Sequence, residues 1–212
     1  MIINGSFGYD WKDRGHVWGE CMSHPDIDLM YVYIPKNASS WTKPNLKDYG
    51  WQFYNYHTDM LDKHALVALR DPVDRWVSGI AEYFALYHQD FELLNVETIK
   101  LIFDRITFDD HTDKQVNFLT HLNTDECTFI YCDDNYSKNF SGFISKYYGT
   151  NKYAKYEWQH VSDESPIRKK FKSIISYWLT MPNYLDRIKH HFKDDYKLIN
   201  SVNFYIDKQF TS

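Results

Sequence analysis

Lys36, Asn37, Ser39 and Ser40 stand in PKNASSW, residues 35–41, directly after the apolar run Leu29–Ile34. A lysine, an amide and two hydroxyls at the end of a buried strand are a set of donors suited to an anion. If a helix opens near Ser39, its unpaired backbone N–H groups and its dipole add to the same site. A second constellation repeats the architecture. In ALVALRDPVDRWVSGIAEYF, residues 65–84, Arg70 ends an apolar run and Ser78 comes eight positions later. A guanidinium can grip phosphate or sulfate oxygens two at a time. Each motif also has a plainer reading. The first could be a strand-to-helix turn with a surface lysine, and Arg70 could be a clamp on Asp71 or Asp74. Two such strand ends in one chain are more specific than either alone. The pattern GxxxxGK[ST] is absent, which argues against an ordinary ATP or GTP hydrolase.

A group-transfer site next to such loops needs a base. His57, in FYNYHTDML, residues 53–61, is the first candidate, with Asp59 and Asp62 as fallbacks. Its alternative is a histidine that makes one structural hydrogen bond in an aromatic cluster. In DDHTDKQVNFL, residues 109–119, His111 and Gln115 are four apart, which predicts one helix face. They would touch substrate or brace the floor of a site. The histidines show no HxH, HExxH or Cys/His ligand spacing, so no metal is expected. Cys21, Cys127 and Cys132 are few and odd in number, which suggests reduced thiols.

The elements that must position these residues are read from pattern. Leu29–Ile34, Ala65–Leu69 and Cys127–Cys132 are short apolar runs with the composition of buried strands. Asp71-Pro72 signals a helix start, and Val73, Trp76, Val77, Ile80 and Phe84 then share one face. Phe140, Phe143, Ile144 and Tyr147 predict a helix after the third run. Ser165-Pro166 opens another, with Ile167, Phe171, Ile174, Ile175 and Trp178 on its face. Leu185, Ile188, Phe192, Tyr196 and Ile199 predict one last helix. Residues 1–28 read as an irregular lead-in with a short strand at most. Strands alternating with helices imply a single α/β domain over residues 1–212. A central, mostly parallel sheet would be flanked by helices, with ligands at the strands' carboxyl ends.

Composition sets outer bounds. With 43% hydrophobic residues, 212 residues can bury a full core. A net charge of −5 argues against a nucleic-acid partner. No apolar run nears the roughly 18 residues that span a membrane, and the first residues lack the pattern of a signal peptide. The expected setting is therefore the cytoplasm, with no membrane partner.

Taken together, PKNASSW and RDPVDRWVS resemble the two cofactor signatures of sulfotransferases that use 3′-phosphoadenosine 5′-phosphosulfate (PAPS). The wording PKNASS is closest to the Golgi-type carbohydrate enzymes, particularly the uronyl 2-O-sulfotransferases. The resemblance covers residues 29–84 well and the remainder loosely. It implies that Lys36, Asn37, Ala38, Ser39 and Ser40 hold the 5′-phosphosulfate, and that Arg70 and Ser78 hold the 3′-phosphate. Trp41 would flank adenine. FYNYHTDML resembles the family's YHGH-type segment with its second histidine at His57 and Asn55 in place of the first. Many carbohydrate sulfotransferases have an acidic-His-x-x-x-Gln element like that of His111 and Gln115. HVSDESPIRKK, residues 160–170, sits where the family adds a later loop to the 3′-phosphate, and matches it poorly. The resemblance further implies a P-loop-like sulfotransferase fold. The activity it implies is sulfuryl transfer from PAPS to a hydroxyl of a carbohydrate or small metabolite, without a metal. Two other readings stay open. One is a small-molecule kinase with an atypical phosphate loop, its Mg²⁺ held by Asp133 or Asp134. The other is a non-catalytic nucleotide- or glycan-binding module.

Overall fold

The computed structural model describes residues 19–55, 57–87, 95–148 and 165–207. Most of the expected lead-in, residues 1–18, and the first part of HVSDESPIRKK, residues 160–164, lie outside them. The described chain divides into two compact units interleaved in sequence. One takes in residues 19–55, 57–70, 118–148 and 199–207, the other 71–87, 95–117 and 165–198.

The first unit carries the sheet. Its strands are β1 (Cys21–Ser23), β2 (Leu29–Val32), β3 (Gln52–Tyr54), β4 (His64–Leu69) and β5 (Thr128–Tyr131), in the order β3-β1-β2-β4-β5. The three expected apolar runs form β2, β4 and β5, which pair parallel. β1 is antiparallel to both its neighbours, so the mostly parallel sheet expected from the sequence is in fact mixed. The reason is chain length. Only residues 24–28 separate β1 from β2, and a parallel crossover needs about a dozen residues or more.

Helices α1 (Ser39–Asp48) and α4 (Tyr136–Tyr148) pack onto this sheet. Trp41 and Leu46 of α1 meet Tyr31, Leu66 and Ile130 of the strands and Phe140 and Ile144 of α4 in one buried cluster. Inside it, Thr42 Oγ1 and Tyr136 Oη share a hydrogen bond of 2.7 Å. Burial raises the phenols of Tyr31 and Tyr136 well above their ordinary values, so both remain neutral.

The second unit is helical: α2 (Pro72–Tyr87), α3 (Val96–Arg105), α5 (Pro166–Leu179), α6 (Pro182–His191) and the start of α7 (Lys193–Ser201). Asp71 starts α2 as its position before proline predicts, its Oδ1 accepting the N–H groups of Val73 and Asp74 at 2.9 and 3.0 Å. Ser165 caps α5 in the same way, through Arg168 N–H. Trp76, Ile80 and Phe84 of α2 join Phe171, Ile175 and Ile188 in the core. The last helix expected from the sequence is two helices with Phe192 at the joint. The second of them places Asp194 and Asp195 in its first turn, where the helix dipole favours negative charge.

Candidate functional site

The loop after β2 is the feature that stands apart. Lys36 has φ 69° and Ala38 φ 53°, two non-glycine residues in left-handed backbone within three positions. Such backbone costs about 1–2 kcal/mol per residue, and strain of this kind gathers at ligand sites. Three contacts impose it. Asn37 N–H donates to the carbonyl of Ile34 at 3.2 Å and closes a turn. The buried Asn37 amide donates to the carbonyl of Ala68 on β4 at 2.7 Å. Arg70, at the end of β4, donates from Nη1 to the carbonyl of Lys36 at 3.3 Å. Asn37, expected among the ligand-binding residues, thus has its side-chain donor turned to the neighbouring strand and acts by positioning the loop.

Ala38 is the N-cap of α1 and has no side-chain acceptor to offer. Among the described residues no acceptor is found for the N–H groups of Ser39 and Ser40. Consecutive amides turned outward by alternating backbone form a concavity for an anion, and the positive end of α1 lies behind it. Ser39 is nearly buried and Ser40 is exposed. The structure therefore brings Lys36, Ala38, Ser39, Ser40 and Arg70 together at the carboxyl ends of β2 and β4. Cys132, just past β5, lies within electrostatic reach of Arg70, but burial raises its thiol far above the ordinary range, which keeps it protonated.

Other expected residues are placed differently. Trp41 is 5% exposed, with Tyr136 and Phe140 edge-on at 5.7 Å each. Its ring belongs to the core and offers no open stacking face. His57 begins a short 3-10 turn, is 0% exposed, and donates its backbone N–H to the carbonyl of Gly19. Neither ring nitrogen has a hydrogen-bond partner among the described residues. Burial lowers its pKa, so the ring is neutral, yet in this conformation it is closed to an acceptor arriving from solvent. Asp62 is exposed, and the side chain of Asp59 is outside what the structure describes. Ser78 lies two turns into α2, 8% exposed, in the helical unit, whereas Arg70 belongs to the sheet unit. Asp133 Oδ1 accepts the N–H of Asn135 at 2.9 Å, and both Asp133 and Asp134 are exposed.

His111 and Gln115 do not share a helix face as their spacing predicts. Residues 109–114 form turns, because Thr112 Oγ1 and the Asp109 carboxylate take up local N–H groups that a helix would need. Gln115 instead opens a 3-10 turn, Gln115–Leu119. The segment is tied into the helical unit. Buried Arg75 donates to the carbonyls of Asp110 and Asp113. Buried Asp195 accepts the N–H groups of Gln115 and Val116 at 2.9 and 3.0 Å. Asp109, Asp110 and His111 have the spacing of a metal cluster. However, His111 Nδ1 lies 3.0 Å from Asp109 and 2.9 Å from Asp110. Burial works to lower its pKa, but those two carboxylates overcome it and push it up to about 9. The two carboxylates thus keep the imidazole protonated through neutral pH. These contacts hold the His111 ring within its own turn, an arrangement that suits a brace.

One further cation was not singled out by the sequence. Lys43, on α1, holds its ammonium 3.9 Å from the centre of the Tyr33 ring and 4.8 Å from that of Phe53. The signal that could have found it is its place four positions after Ser39. No family model matches this chain, and neither a curated protein nor a solved structure does.

Proposed function

We propose that the chain binds PAPS and transfers its sulfuryl group to a hydroxyl, in the manner of the sulfotransferases that PKNASSW and RDPVDRWVS resemble. The observation that carries this reading is the strained Lys36–Ser39 loop with the Arg70 guanidinium bonded to its backbone. Metal-dependent phosphoryl transfer needs a carboxylate or hydroxyl on Mg²⁺ near the phosphate loop. Here the parallel strand beside the loop ends in an arginine, so the loop meets a cation where that chemistry wants a metal ligand. Asp71, the next residue, is engaged at the start of α2.

PAPS would supply an activated sulfur–oxygen bond. The N–H groups of Ser39 and Ser40 would hold non-bridging oxygens, and their hydroxyls would add donors. Lys36 would neutralise the phosphate oxygen that gains charge as the bond to sulfur breaks, a stabilisation felt most in the transition state. Arg70 would grip a phosphate from the β4 side. The acceptor's proton passes to a base. His57 can serve only if its cover of Gly19 opens, so its closed setting favours a second reading, a module that binds the nucleotide without turnover. A carbohydrate or small-metabolite acceptor and a cytoplasmic setting belong to the proposal through the resemblance alone. Among the described residues no helix is long and apolar enough to cross a membrane.

The test is a thermal-shift and calorimetric comparison of 3′-phosphoadenosine 5′-phosphate with AMP, ATP and GTP, with Mg²⁺ or with chelator. The bisphosphate should raise the melting temperature by mass action, equally with and without Mg²⁺. Arg70→Ala and Lys36→Ala should each weaken its binding at least about tenfold. A wild type that prefers Mg²⁺–ATP, or binds none of the four, removes the proposal. Turnover of a hydroxyl acceptor then separates transferase from binding module.

A further inference from the structure

We propose that Lys43 is a third cation of the loop's anion site, held in place by the rings of Tyr33 and Phe53. The site would then prefer two linked anionic groups, as in a pyrophosphate or phosphosulfate, to a lone phosphate. The inference rests on the reading of the loop as an anion site, and three features of the first unit support it.

The first is direction. Lys43 is four positions after Ser39 and three after Ser40 on α1, so all three lie on one helix face. Helical side chains lean toward the N-terminus. A lysine stem of about 6 Å spans a helical turn of about 5.4 Å and returns the ammonium to the level of the first turn. The contact with Tyr33 fixes that level independently, because Tyr33 comes directly after β2, just ahead of Pro35 and Lys36.

The second is sidedness. In the order β3-β1-β2-β4-β5, Arg70 closes β4 on one side of the loop strand, while Phe53 belongs to β3 on the other. Phe53 lies opposite Met22, which in turn lies opposite Tyr31. Paired residues share a sheet face, and Met22 and Tyr31 belong to the cluster beneath α1. The Phe53 ring therefore stands on the α1 side of the sheet, where it meets Lys43. Cations flank the loop on both sides.

The third is the company Lys43 keeps. Its partners are two aromatic faces, and among the described residues it has no carboxylate. An ammonium over aromatic rings is attracted by them yet keeps its full charge, and the rings remove much of the rotamer freedom that a lysine otherwise loses on binding. Phe53 is 44% exposed and Lys43 is itself partly exposed, so the pair lies at an open edge of the sheet.

The experiment is calorimetric titration with inorganic pyrophosphate and inorganic phosphate at one pH and ionic strength. Lys43→Gln should weaken pyrophosphate about tenfold and phosphate less than about twofold. Lys43→Arg should retain the preference, and Phe53→Leu should lose part of it while keeping every charge. Lys47→Gln removes an equal charge one turn further along α1 and should change neither ligand. If Lys43→Gln and Lys47→Gln act alike, the effect is only the general field and the inference fails. It also fails if Lys43→Gln weakens both ligands equally. Pyrophosphate binding that is abolished by Arg70→Gln but untouched by Lys43→Gln would leave the loop reading standing and overturn Lys43 alone. A wild type that binds neither anion overturns both.

Discussion

Replacing His111 by asparagine separates a brace from a substrate contact, and pH gives the sign. The imidazole is held by Asp109 and Asp110 and has a pKa of about 9 in the folded chain, against 6.5 for an unperturbed histidine. Between those values the folded state carries a proton that the unfolded chain has released. The stabilisation is therefore complete below pH 6.5 and is lost as pH rises through about 9. At 1.36 kcal/mol per pH unit the gap corresponds to roughly 3 kcal/mol. The side chain is 25% exposed, and solvent screening brings the expected figure to about 1–2 kcal/mol.

Urea unfolding of wild type and His111→Asn should therefore differ by about 1–2 kcal/mol at pH 6, and the difference should shrink toward zero by about pH 10. Subtracting the variant cancels the tyrosines, lysines and cysteines that also titrate at alkaline pH. An NMR titration of the imidazole should place its midpoint near 9. A midpoint at or below 6.5, or a stability difference that ignores pH, would refute the reasoning. The outcome bears on function, because a histidine that stays protonated through neutral pH cannot serve as a general base.

Packing sets two more outcomes. Gly79→Ala would gain up to about 1 kcal/mol of helix propensity in an open helix, but here the new Cβ would collide with the carbonyl oxygen of His111. A backbone atom cannot swing aside, so urea unfolding should show a net loss of about 1–3 kcal/mol, and a stabilised variant would disprove the contact. His57→Leu removes a buried ring whose nitrogens lack partners among the described residues, so stability at pH 7 should hold or rise by up to about 2 kcal/mol. Burial depresses the folded pKa of His57, so its penalty appears as pH falls through 6.5. The variant should lose less stability than wild type in acid, and a loss above about 2 kcal/mol at pH 7 would mean that the ring is bonded after all.

The parts of the fold legible in the sequence were those that local chemistry decides. Asp71-Pro72 and Ser165-Pro166 start helices because an acceptor before a proline satisfies the first amides whatever lies around them. The runs at β2, β4 and β5 are apolar on both faces and had no other use. β1 and β3 are three residues each, too short to show a period. The antiparallel pairing of β1 with β2 was nonetheless implied by the five-residue connection. Helix α3 also went unread, although Asn95 caps it through the N–H of Thr98 at 2.9 Å. In the site, Lys36 and Arg70 were legible by charge and position. The roles of Trp41, Asn37 and His57 were not, because each depends on what packs against the side chain. The tryptophan that ends PKNASSW looks the same in sequence whether Tyr136 and Phe140 stand edge-on to it or a purine does.

That dependence shapes how the loop must work. Its two left-handed residues are not glycines, so the backbone does not choose this path unaided. Asn37 and Arg70 hold it there from one strand, by bonds to Ala68 and from Arg70 to Lys36. Arg70 thus does two things at once: its guanidinium secures the Lys36 carbonyl and presents positive charge beside the amides of Ser39 and Ser40. On the proposed reading, pre-organisation of this kind would favour anion binding in water, since the donors are oriented before the ligand arrives and less loop entropy is lost on binding. The conformation of the loop is therefore set as much on β4 as on the loop itself. The bond from Arg70 to the Lys36 carbonyl makes PKNASSW and the start of RDPVDRWVS one structural unit: the first carries the turned-out amides, and the arginine of the second constrains them.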